Sequence, residues 1–193
     1  MKNVRLTYST IAEFTPGSHI SRIKQNDSEK AYRFYATWQF LKDSWQHNDS
    51  VHDKEQVVRP SQPVLYVQSG DVVISLIHGK AAQVSEQHAG RLLSNNYVRV
   101  KVDTQKVDPA WFIWHFNESV ESRRQQALAT QGSTFVQRLS ISELRQFSVP
   151  LPPLRRQQAI GGLYLAAIEK RHYQERLATL NEQQILSLLS DII

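Results

Sequence analysis

The chain has 193 residues, 40% of them hydrophobic, which is enough for one domain of ordinary size with an appendage and a real buried core. It contains no cysteine, which excludes disulfide scaffolds, thiolate zinc sites and cysteine nucleophiles together. A total of 23 Lys and Arg against 18 Asp and Glu leaves a net charge of +5, a bias towards a polyanionic partner through phosphate neutralisation.

No segment approaches the roughly 18 to 20 uninterrupted apolar residues that span a bilayer, and Met1-Lys2-Asn3-Val4-Arg5 lacks a following apolar secretory core. A cytoplasmic protein without membrane contact is expected. The opening stretch to about Asn26 reads as short strands and loops, with a turn signal at Pro16-Gly17. Between Lys30 and Trp45 six aromatic residues crowd together at spacings that fit neither a clean helix nor a clean strand. Ser44 to Arg59 is a polar loop closed by Pro60 and Pro63. A strand at Val64–Val67 and a Gln68–Asp71 turn lead into a central apolar strand, Val72 to Ile77, followed by a turn at His78-Gly79-Lys80 and a strand at Ala81 to Val84. In Tyr97 to Val102 the residues Val98, Val100 and Val102 alternate with Tyr97, Arg99 and Lys101, which predicts one apolar and one cationic face.

Asp108-Pro109 opens a helix, a second helix runs from about Val120 to Ala129, and Phe135 to Leu139 is extended. Ser140-Ile141-Ser142-Glu143 has the Ser-x-x-Glu form of a capping box that starts a short helix to about Gln146. Pro150, Pro152 and Pro153 break any ordinary helix, and a boundary is placed there between residues 1–150 and 151–193. Beyond it the chain reads as a long helix. Gly161-Gly162 weakens its first turns by about 1 kcal/mol per glycine, so the firm part is taken from Leu163 to Ile193, roughly 45 Å. Leu163, Ala167, Leu177, Leu180, Leu188 and Ile192 form an apolar stripe that needs a partner. The fold class is α+β, a mixed-sheet body with packed helices followed by that long helix.

In order, Gly17-Ser18-His19-Ile20-Ser21-Arg22-Ile23, Ser69-Gly70-Asp71-Val72-Val73-Ile74-Ser75, Ser94-Asn95-Asn96-Tyr97-Val98-Arg99-Val100, Val107-Asp108-Pro109-Ala110-Trp111-Phe112, Gly132-Ser133-Thr134 with Arg138-Leu139-Ser140, and Val149-Pro150-Leu151-Pro152-Pro153-Leu154 with Gln157-Gln158-Ala159-Ile160 resemble one half of a type I restriction-modification specificity (S) subunit. One departure is visible: such proteins carry Glu-Gln after Pro-Pro-Leu, where Arg156-Gln157 stands here. The resemblance implies a target-recognition domain in residues 1–150 and a hinge plus spacer helix in 151–193. It implies a non-catalytic subunit that reads double-stranded DNA for methyltransferase (M) and restriction (R) subunits. Full-length relatives carry two such halves. Two copies of this chain are therefore expected to pair through their C-terminal helices as an antiparallel, coiled-coil-like homodimer on a split palindrome, with pairing to a different half as the other possibility.

No cofactor is expected in this chain, since S-adenosylmethionine and ATP belong to the partner subunits. Leu151-Pro152-Pro153-Leu154 lacks the polar acceptor and aromatic face of an amino-methyltransferase motif, and no Gly-x-x-x-x-Gly-Lys loop occurs. His47 and His52 beside Asp49 and Asp53 match no standard metal spacing. Nor do Asp71, Asp103, Asp108 and Glu118 form a recognisable nuclease cluster. The candidates for DNA contact are Arg22, Lys24, Lys80, Arg91, Asn95, Arg99, Lys101, Ser133, Thr134 and Arg138, each of which is equally an ordinary surface residue. For Arg99 and Lys101 the competing role is protection of a sheet edge. A stand-alone RNA- or single-strand-binding module is the competing reading of charge and aromatics. Trimming at Leu154 is expected to leave a folded monomer with weak, salt-sensitive DNA affinity.

Overall fold

A computed structural model describes residues 4–46, 55–131 and 138–190. In chain order the elements are β1 (Val4–Thr7), β2 (Ala12–Pro16), β3 (Tyr32–Tyr35), α1 (Thr37–Asp43), β4 (Val57–Val58), β5 (Val72–Ser75), β6 (Lys80–Gln83), β7 (Leu92–Leu93) and β8 (Tyr97–Val102). There follow α2 (Pro109–Glu118), α3 (Val120–Ala129), β9 (Thr130–Gln131), β10 (Arg138–Leu139), α4 (Ile141–Gln146), β11 (Ser148–Leu151) and α5 (Leu154–Ser190). This is the expected α+β arrangement, several small sheets ending in one long helix.

The central sheet has the order β2-β8-β5-β6 with antiparallel neighbours throughout. Its interior strand β5 is buried on both faces, which is why Val72-Val73-Ile74 is a continuous apolar run without alternation. Val72, Ile74, Val98 and Val100 pack with Tyr8, Phe14, Phe112 and Phe116. On the opposite face Val73, Ala82 and Tyr97 pack with Tyr35 and Phe40. The aromatic run that fitted no single period therefore divides into β3 and α1, whose Tyr35 and Phe40 close this second core while Phe34 packs with Ile23, Val58 and Leu92 in a third. Tyr97 is buried, so the face of β8 opposite its valines is cationic only at Arg99 and Lys101. β8 lies between β2 and β5, so neither of these two cations guards an edge.

Local signals start the helices where the sequence places them. Asp108 caps α2 by accepting a hydrogen bond from the Trp111 amide at 2.9 Å, and Ser119 caps α3 through the Ser122 amide at 3.0 Å. Ser140 begins α4 with its side chain accepting from the Glu143 amide. α2 is buried on nearly every side because it lies between β6 and α5. Asn117 fixes it to β6: the Ala81 amide donates to Asn117 Oδ1 at 2.7 Å, and Asn117 Nδ2 donates to the Ala81 carbonyl at 2.9 Å.

Three expectations change. Val64–Val67 is not a regular strand. It is extended chain with one bridge, Tyr66 to Leu92, and its amides and carbonyls bond residues 90–93, which include the two-residue strand β7. α5 starts at Leu154 and runs unbroken through Gly161-Gly162, because a close approach to α2 needs the first of these glycines. A Cβ on Gly161 would lie 2.7 Å from the Ala110 carbonyl carbon and would also strike the Trp111 amide, whereas one on Gly162 would meet nothing. The first turns of α5 are thus part of the body's packing, and a chain trimmed at Leu154 would lose the cover over Trp111.

Candidate nucleic-acid interface

Two pairs of the quoted sequence motifs meet in space. The Gly17 amide donates to the Tyr97 carbonyl at 3.0 Å, the Ser18 amide to the Leu93 carbonyl at 2.8 Å and the Asn95 amide to the Ser18 carbonyl at 3.0 Å. Gly17 lies against the Leu93 and Ser94 carbonyls with no room for a side chain. At the other end the fully buried Gln157 accepts from the Asp108 amide at 2.9 Å and donates through Nε2 to the Lys106 carbonyl at 2.9 Å and the Pro152 carbonyl at 2.8 Å. That side chain closes the turn into α2 against the turn into α5, a role its place in a sequence motif did not show.

The candidate cations fall into three groups. Arg22 and Lys24 are exposed, and their main chain is zipped to residues 59–62. The Ser61 amide donates to the Lys24 carbonyl at 2.9 Å, the Asn26 amide to the Arg59 carbonyl at 2.9 Å and Gln62 Nε2 to the Arg22 carbonyl at 3.3 Å. Arg59, which the sequence did not single out, therefore joins them on the same surface. Lys30 lies 5.4 Å from the centre of the Tyr32 ring, which itself packs on Tyr66 with ring centres 4.6 Å apart. Partial burial, and after it a hydrogen bond with Tyr32, pushes the Tyr66 phenol up from its usual range. Arg22, Lys24 and Arg59 form no ion pair among the described residues, though Asp27 and Glu29 lie in the same loop.

A second group is engaged inside the protein. Arg91 pairs with Glu55 at 3.1 Å and donates to the Phe34 carbonyl at 3.3 Å, with its side chain largely covered. Arg99 approaches Asp71 at 3.8 Å and donates to the Tyr66 carbonyl at 3.4 Å. Lys80 reaches Glu118 at 3.6 Å and donates to the Asn117 carbonyl at 3.2 Å. Arg138 donates to the Asn95 carbonyl, so these two are brought together, with Arg138 bracing the loop that holds Asn95. Lys101 stands apart, exposed on β8 opposite Glu13. Ser133, Thr134 and Ile192, like His47, Asp49, His52 and Asp53, lie outside the described residues. Among the described residues no group of His, Cys, Asp or Glu could hold a metal ion, and no helix is long and apolar enough to cross a membrane.

The helix stripe is exposed wherever it is described. Leu163 is 74% exposed and faces away from α2, and Ala167, Leu177, Leu180 and Leu188 are exposed as well. At about 100° per residue, Leu163, Ala167, Leu177 and Leu188 share a narrow arc, and Leu180 lies roughly a quarter turn from it.

A mixed-sheet body from which one long helix leaves is a fold found in S subunits of type I restriction-modification systems. The HsdS subunit from Thermoanaerobacter tengcongensis superposes with a TM-score of 0.62 at 15% identity over 96% of this chain and 47% of that one. A chain from a type I R-M system studied for its complex assembly and conformational transition gives 0.61 at 16% identity, over 96% and 43%. The S subunit from M. genitalium gives 0.54 at 15%, over 93% and 41%. The chain thus has the S-subunit fold and spans just under half the length of each of these proteins. No protein-family profile and no curated protein matches the sequence.

Proposed function

We propose that this chain is a half-length type I specificity subunit that reads double-stranded DNA, with residues 1–150 as the recognition domain and 151–193 as hinge and spacer. The observation that carries the reading is the superposition of nearly the whole chain onto just under half of three S subunits. The exposed Arg22, Lys24 and Arg59 support it, since cations without an ion-pair partner among the described residues suit a phosphate backbone. The single-strand-binding alternative is the weaker one, because three of the six clustered aromatics it draws on, Phe34, Tyr35 and Phe40, are buried in cores.

Residues 1–150 would make one recognition domain, and two copies joined through the distal turns of α5 would supply the second. The exposed Leu177 and Leu188 support pairing through this face, in the antiparallel arrangement proposed here. Two-fold symmetry then requires a split palindromic target, and pairing with a different half would give an asymmetric one. The chain itself is non-catalytic in this reading. M subunits bring S-adenosylmethionine, an R subunit brings ATP-driven cleavage, and the complex works in the cytoplasm. Co-expression with a type I methyltransferase subunit from the same genome, followed by sequencing of the methylated positions on a random plasmid pool, tests it. A split palindrome is expected, and no methylation above that of the methyltransferase subunit alone overturns the reading.

A further inference from the structure

α5 is held to the body at two separate places. From Leu154 to Gly161 it lies on α2, with Gln157 and Gly161 buried. Further along, a cavity of about 590 Å³ opens between α5 and the body, lined in part by Val84, His88, Ile113, Leu165 and Ile168. At its far side α5 is met again at His172, which is 8% exposed and is the last buried position of the described helix. The ring that reaches it comes from outside the α2 interface. Trp45, at the end of α1, packs on His172 with ring centres 5.6 Å apart and on Tyr173 at 5.8 Å.

The backbone at Trp45 is unusual in a way that supports a specific role. The Gln46 amide donates to the Leu41 carbonyl at 2.8 Å and the Trp45 amide to the Lys42 carbonyl at 3.0 Å, the paired bonds that close a helix with one residue in the left-handed conformation. Trp45 has φ of 58°, and among the described residues it is the one non-glycine with positive φ. Helix ends of this geometry favour glycine because a Cβ is crowded there. A tryptophan in that place works against its own backbone, and its compensation is the contact with α5.

We propose that Trp45 is a positioning residue that fixes the direction in which α5 leaves the body, and through it the gap between the two half-sites; the second clause rests on the function proposed above. Beyond His172 the described helix continues to Ser190, roughly 27 Å at about 1.5 Å per residue. A swing of about 10° at His172 moves the tip by roughly 5 Å, more than the rise of about 3.4 Å between base pairs. A strut at the root of the lever therefore decides spacing at its end.

The natural chain has no cysteine, so labels can be placed at will. Spin labels at Arg124→Cys and Ser187→Cys, both exposed, are measured in full-length chain diluted with unlabelled chain so that only distances within one copy are read. Trp45→Gly suits the left-handed backbone and removes the ring, whereas Trp45→Phe keeps an aromatic. The expected result is a narrow distance distribution for the parent and for Trp45→Phe, and one roughly twofold broader for Trp45→Gly. Equal widths in all three overturn the strut. In the methylation assay the parent should select one gap length and Trp45→Gly should accept gaps one base pair shorter or longer. A broader distribution with an unchanged gap overturns the assignment to spacing. A parent that directs no methylation overturns the functional reading, while the distance measurement still decides the strut.

Discussion

The two halves of α5 are built from the same kinds of residue and do opposite things. In the near half, Gln157 and Gly161 are buried, Ile160 and Tyr164 pack against the main core, and the helix is part of the body. In the far half, Leu177, Leu180, Ile185, Leu186, Leu188 and Leu189 are all about half exposed or more, and the described chain offers them nothing to pack on. Apolar periodicity along a helix therefore says that a face is to be covered, and leaves open whether the cover is the same chain or another.

The sharpest way to break the contrast is to cut within it. A chain ending at Pro153 loses the face of α2 that α5 covers and the three hydrogen bonds of Gln157, and is expected to show no cooperative melt. A chain ending at Gln174 keeps His172 beneath Trp45 and is expected to melt within a few degrees of the full chain, while pairing is lost. Circular dichroism melts with light scattering check both, and a folded domain in the shorter chain would show that the near half is no part of the body.

The adjacent glycines of α5 give the same contrast one residue apart. Gly161→Ala places a methyl group against the α2 backbone and should destabilise by about 2–3 kcal/mol through overpacking. Gly162→Ala meets open space and should stabilise by about 1 kcal/mol through helix propensity. Urea titrations of the two variants decide it, with opposite signs expected.

These glycines also show where the sequence was legible. The bounds of α3, the helix starts at Asp108 and Ser140, and the turn into β5 follow from local hydrogen-bonding chemistry, and the structure has them where the residues place them. Gly161 is another matter: its cost to the helix is local, but its benefit is the approach of a helix some fifty residues away in sequence. The aromatic run from Tyr32 to Trp45 was unreadable for a related reason, since Tyr35 and Phe40 enter one core, Phe34 another, and Trp45 meets α5, from elements with different periods. In the candidate interface, composition could mark Arg22 and Lys24 but not Arg59, which joins them only because residues 59–62 zip onto the 22–26 segment. Arg91 and Arg99 look the same in sequence as those two, and only their partners Glu55 and Asp71 set them apart.

Beneath the near half of α5, His115 gives the body a pH response. Burial pushes its imidazole down to about 4 from 6.5, and Nδ1 is hydrogen-bonded to the Tyr8 hydroxyl at 2.9 Å while Nε2 has no partner among the described residues. A histidine whose folded pKa is depressed is protonated first in the unfolded chain. Stability is therefore full above pH 6.5 and falls as pH drops from 6.5 towards 4, by at most about 1.4 kcal/mol per unit from this residue. His115→Gln should flatten that part of the pH profile in chemical denaturation, at the cost of a lower plateau. An unchanged slope would place the acid response elsewhere.

The smallest effect on stability should come from the largest change in charge. Leu177→Glu with Leu188→Glu puts two carboxylates on positions that are 59% and 58% exposed, and each substitution should move the stability of the body by no more than about 0.5 kcal/mol. The same pair should abolish association, because in an antiparallel dimer each carboxylate would be desolvated against an apolar partner helix. Sedimentation of the parent should show a dimer at micromolar concentration and the variant a monomer with an unchanged melt. A monomeric parent would mean that the far half waits for a different chain. A variant that loses stability as well would mean that the far half, like the near one, folds back on its own body.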